Sequence, residues 1–144
     1  MKRRVPGVLA FVLGAMVLTG LPFASAQEKA KPHVLIPEAD DVSLIRFDAE
    51  KVFPGGPFAL NLSKPEEVKP LLTWLKGVGW DYSKSRDARV IDVPLWARIT
   101  IIRKDKAKMH FSVSDRLIIA ADRAWPIDNG KLEAVVKQVR AAAK

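Results

Sequence analysis

The chain has no cysteine. That absence removes disulfides, thiolate metal sites, cysteine nucleophiles and a lipid-modified amino-terminal cysteine. Histidine is scarce too, with two residues. There is no H-E-x-x-H pair, no Cys/His spacing and no D-x-D-x-D-G loop, so no metal site is written in the sequence. There is also no G-x-S-x-G elbow for a serine nucleophile. Gly55-Gly56 is boxed in by Pro54 and Pro57 and precedes a strand-like run, which is not the loop-to-helix setting of a phosphate cradle. The longest apolar run, Val8 to Leu21, is about 14 residues, short of the roughly 20 that cross a bilayer as a helix.

What is present is an ordinary globular composition. The 144 residues are 49% hydrophobic and 28% charged, which suits one domain plus a targeting segment. Lys2, Arg3 and Arg4 precede the apolar run, and Pro22 breaks it ahead of Ala24-Ser25-Ala26, an A-x-A cleavage pattern. This predicts a secretory signal peptide over 1–26. Pro6 and Gly7 stand where a twin-arginine signal wants bulky apolar residues, so the general secretory route is preferred. Removing the segment lowers the formal charge from +8 to +5. That mild, dispersed excess argues against a nucleic-acid partner and permits weak attraction to anionic envelope polymers. The expected destination is periplasmic or secreted, with no membrane span once the signal is cleaved.

Residues 27–41, rich in Lys, Pro and acidic side chains, read as an extended tether carrying His33. Within it Val34-Leu35-Ile36 could dock as an edge strand. Residues 42–144 read as a single α+β domain. Val42 to Phe47 alternates as a strand, with Ser43, Ile45 and Phe47 on one face and Val42, Leu44 and Arg46 on the other. The turn Pro54-Gly55-Gly56-Pro57 and the alternating Phe58, Leu60 and Leu62 complete a hairpin. Ser63 and Glu66 have capping-box spacing before a helix whose stripe is Val68, Leu71, Leu72 and Leu75. Pro70 interrupts it and Gly77 stops it. The stretch 77–94 either holds a short strand at Arg89 to Val93, the preferred reading, or is a functional loop. Trp96 to Arg103, Lys108 to Ser114 and Leu117 to Ala121 form an antiparallel meander. Pro126 and Asp128 introduce a last helix striped by Leu132, Val135, Val136 and Val139. The sum is a two-layer sandwich: an antiparallel sheet of about five strands with two amphipathic helices on one face.

Few residues could carry chemistry. His110 sits mid-strand on the polar face with Ser112 and Ser114, as a general base or as an ordinary wet-face side chain. Arg98 and Thr100 join it in one patch if the two strands pair in matching register. Trp74 lies roughly 110° from the centre of the first helical stripe, and Trp80 and Tyr82 follow it. Such aromatics either hold a ligand through ring faces and polar edges or fold back into a satellite cluster. Lys137, Arg140 and Lys144 share one flank of the last helix, a contact for an acidic partner or a solvated flank. Asp40-Asp41 and Glu66-Glu67 are adjacent carboxylates, which seldom aim at one site. Asn61-Leu62-Ser63 matches a glycosylation sequon, though Ser63 suits a helix cap better.

These features predict an exported, non-catalytic binding module of the cell envelope, with no cofactor, no metal and no catalytic residue. Its ligand is a protein, a peptide or an anionic envelope polymer, and its candidate binding residues are Trp74, Trp80, Tyr82, Arg98 and His110. Two alternatives stay open: a small periplasmic hydrolase using His110 with a serine or carboxylate, and a structural subunit of an envelope complex.

Overall fold

In the computed structural model, residues 34–143 are described. The expected signal peptide, residues 27–33 with His33, and Lys144 lie outside them. Strand β1 (Val42–Ala49) turns into β2 (Phe58–Leu62), and helix α1 (Pro65–Lys76) follows. A short strand β3 (Arg86–Asp87) precedes a four-strand meander of β4 (Ala97–Arg103), β5 (Lys108–Val113), β6 (Leu117–Ala120) and β7 (Arg123–Pro126). Helix α2 (Asn129–Ala142) closes the chain. All neighbours are antiparallel, in the order β2-β1-β4-β5-β6-β7-β3. The sheet therefore has seven strands where about five were expected. The two additions are β7, and β3, which lies at 86–87 rather than at 89–93, where a 3-10 turn and irregular chain stand instead.

Both helices cover the same side of the sheet. Leu71 of α1 and Val136 and Val139 of α2 close over Phe47, Leu60 and Leu62 around one small apolar void. Ile45, Ile99, Ile101, Val113, Ile118 and Trp125 share that side and are fully buried or nearly so. At about 25 cal/mol per Å2 of apolar surface removed from water, such burial is the principal stabilising term in a domain with no disulfide to assist it.

Local chemistry adjusts the expected boundaries. A register shift between Val42 and Leu44 inserts one extra residue in β1. The bulge resets the alternation, so Val42 is buried and Ser43 is exposed, the reverse of strict alternation. The Ser63–Glu66 capping box does not form. Its role passes one residue along, where Glu67 Oε2 accepts from the Ser63 and Lys64 amides at 3.3 Å each. Pro65 then occupies the first helical position, where its missing N–H costs nothing. At α2 the expected cap is present: Asp128 Oδ1 accepts from Gly130 N at 3.0 Å and Lys131 N at 3.4 Å.

Three further segments bind the layers together. Val34 and Ile36 pack on the core as irregular chain rather than as a strand, while Glu38 pairs with Lys76 at 2.6 Å. In the β1–β2 loop Phe53 is buried and meets Phe47, Phe58 and Trp96 at 5.7 Å each. The segment after α1 is held over the far end of the sheet by two indoles. Trp80 Nε1 donates to the Leu75 carbonyl at 2.8 Å, and Trp125 Nε1 donates to the Asp81 carbonyl at 3.0 Å.

Candidate functional site

The expected aromatic cluster of Trp74, Trp80 and Tyr82 is dispersed. Trp80 is 7% exposed and stands edge-on to Trp125 at 4.9 Å, with Phe111 at 5.6 Å. It belongs to the main core, neither to a satellite over Trp74 nor to a surface, and it offers no free ring face to a ligand. Its position follows from Gly79, whose φ of +68° turns the chain inward just after the helix. Tyr82 is half-exposed, but the Arg123 guanidinium lies over its ring at 4.3 Å. Arg123 is fixed by Ser85, with Nε donating to Oγ at 2.9 Å and Nη2 to the carbonyl at 3.1 Å.

Trp74 stays on the helical layer, half-buried, at the meeting of two grooves. One, of about 560 Å3, runs between the helices along Pro70, Thr73, Ala134 and Val135. The other, of about 470 Å3, continues past Gly77, Val78 and Ile127. Glu66 and Lys69, Asp128 and Lys131 balance one another along the rims, so charge selects no partner there.

The opposite side of the sheet is left uncovered by the helices, and it mixes polar side chains with the half-buried Leu44, Ile102 and Ile119. Pairing sets Asn61, Arg46, Thr100 and His110 in one row across β2, β1, β4 and β5. Asp48, Arg98 and Ser112 form the next row, and Leu44, Ile102 and Lys108 the row on the other side. Thr100 Oγ1 lies 3.3 Å from His110 Nδ1. Arg98, Thr100 and His110 are thus brought onto one patch by the register that sequence alone could not fix. Arg46, Arg98, Lys108 and His110 are exposed. Sequence reasoning missed Arg46, Asn61 and Lys108, although their place at alternate positions of three strands is the signal that could have found them.

Strong local electrostatics lie elsewhere, at the β3 end. The Arg89 guanidinium and backbone amide hold the Asp87 carboxyl down at about 2, with Arg89 Nη2 to Oδ2 at 2.6 Å. The Ser83 hydroxyl and amide lower Asp81, whose Oδ1 closes a tight turn by accepting both. These carboxylates shape turns. Among the described residues no group of three or more His, Asp or Glu could hold a metal ion, and no helix is long and apolar enough to cross a membrane. His110 makes its side-chain contact with Thr100, and no carboxylate among the described residues hydrogen-bonds it as the orienting group of a hydrolytic triad would. Comparison with protein-family models, curated proteins and solved structures finds no match to this chain.

Proposed function

We propose that this chain is an exported, non-catalytic binding module whose ligand lies across the open side of the sheet. The observation that carries this reading is the Arg46–Thr100–His110 row with Arg98 and Ser112 beside it. It is a surface of exposed hydrogen-bonding side chains on a rigid four-strand platform that no element of the described chain covers. Function on such a surface needs no moving backbone, because strand pairing fixes the point from which each side chain projects. Export rests on the signal-like amino terminus and fits a domain held by its core alone.

The test is retention of the full chain on envelope fractions of its own host. The double variant Arg98→Gln/His110→Ala loses most of the retention, whereas Lys131→Gln on the helical groove keeps it. Equal retention of both variants overturns the assignment of the surface. Amino-terminal sequencing of protein recovered from the same cells gives Gln27 as the first residue if the chain is exported and processed as read.

A further inference from the structure

Taking the open sheet face as the binding surface, which is the reading just given, the geometry points to a linear anionic polysaccharide as its ligand. The chain would carry carboxylate or phosphate groups at regular intervals.

Charge is the first argument. Arg46, Arg98 and Lys108 are exposed on the face, and among the described residues none of them has an ion-pair partner. Asp48 is the one carboxylate in the three rows, half-buried opposite Arg98. The described residues hold 18 basic and 15 acidic side chains. Three cations against one carboxylate on a single patch is therefore a local concentration of what is elsewhere nearly balanced.

Spacing is the second argument. Strands stand about 4.8 Å apart, and same-face residues along a strand about 6.8 Å apart. On that lattice Arg46 and Arg98 are diagonal neighbours at roughly 8 Å, with Lys108 roughly 12 Å from Arg46 and 14 Å from Arg98. These are backbone separations, and three exposed cations standing that far apart present charge along the face instead of around one enclosed point. A chain with repeated charges matches that layout, and each neutralised cation contributes a salt-dependent increment of affinity.

The side chains between the cations favour a glycan over other polyanions. Asn61, Thr100, His110 and Ser112 interleave with them, offering donors and acceptors to a hydroxyl-rich chain. The grooves of about 470, 560 and 690 Å3 lie along the helices and not on this face. The large exposed apolar residues Leu35, Val52, Tyr82 and Val90 stand outside its strands, and Leu44 and Ile102 on the face are half-buried, so among the described residues it offers no large exposed apolar side chain to a lipid surface.

The experiment titrates the full chain with polygalacturonate, which carries carboxylates, and with a phosphomannan, which carries phosphodiesters. Neutral dextran, polyglutamate and phosphatidylglycerol vesicles are run beside them. One of the two anionic glycans binds, and its affinity falls at least tenfold between about 50 and 300 mM NaCl. The triple variant Arg46→Gln/Arg98→Gln/Lys108→Gln, folded by circular dichroism, binds at least tenfold more weakly at low salt and shows a flatter salt dependence. The glycan inference is overturned if polyglutamate or the vesicles bind better than both glycans, or if wild type and variant bind both glycans alike. Retention on envelope fractions then separates the two failures. If Arg98→Gln/His110→Ala still abolishes retention, the surface stands and the ligand class was wrong. If it does not, the surface falls as well.

Discussion

Trp80 shows how one residue can be conspicuous in sequence and structural in place. Its indole fills the core against Trp125 and Phe111 and ties the post-helix segment to Leu75. Trp80→Ala removes all of this and costs about 3 kcal/mol or more in urea unfolding. Loss of binding in that variant would therefore report unfolding, not a lost contact. Trp80→Phe keeps most of the volume but removes the indole donor from the Leu75 carbonyl, which still accepts the Val78 amide at 3.2 Å, and a cost of about 1 kcal/mol is expected. Gly56 is constrained differently: a Cβ there would run into the Glu50 carbonyl oxygen and reach within 3.0 Å of that of Phe53. Both are backbone atoms of a tight loop, so Gly56→Ala destabilises by about 1–3 kcal/mol, seen as a lower melting midpoint. At Asp87 the folded carboxyl titrates near 2 instead of 3.8, chiefly through its hydrogen bonds from Arg89. A lowered carboxyl pKa gives a contribution complete above 3.8 and lost as pH falls through about 2. Because the group is exposed, the effect stays local. Carbon-13 titration of Asp87 shows it directly, and Arg89→Ala returns the midpoint toward 3.8.

At the scale of elements, α1 carries an internal flaw. Pro70 lies within Pro65–Lys76 and cannot donate to the Glu66 carbonyl. Its side chain lines the interhelical groove and is not in the core. Pro70→Ala restores the donor at little packing cost, offset in part by a freer unfolded chain, and raises stability by about 1 kcal/mol. A lowered midpoint would mean that Pro70 supports the helix pair. The helices were legible because their stripes and caps are local, and the meander because Met109, Phe111 and Val113 alternate with polar residues. The same local reading failed where position depends on distant chain. β7 is Arg-Ala-Trp-Pro, with no alternation and a terminal proline, and is recognisable as a strand only because β6 pairs with it. The bulge at Ser43 and the burial of Phe53 within a loop likewise have no periodic signature. Of the candidate patch, the polar alternation of Arg98, Thr100 and His110 was visible, whereas the pairing that adds Arg46 and Lys108 belongs to the assembled sheet.

For the whole molecule, covering one side of a sheet with both helices separates the packed side from the side left to solvent. The helix side holds the buried aliphatic and aromatic residues, and the open side holds Arg46, Arg98 and Lys108, exposed and without ion pairs among the described residues. Cations retained together in this way repel one another, so they add nothing to folding and at low ionic strength oppose it. Neutralising all three as glutamine should therefore not weaken the fold. In about 20 mM salt the triple variant gains roughly 0.5 kcal/mol over wild type in urea unfolding, a magnitude typical of surface charge changes. In about 0.5 M salt, where screening acts within a few ångströms, the two midpoints coincide. If the cations instead braced the sheet, most directly through Asp48 opposite Arg98, the variant would be less stable at low salt and the sign would reverse. The sign of that difference thus decides whether the basic face serves the fold.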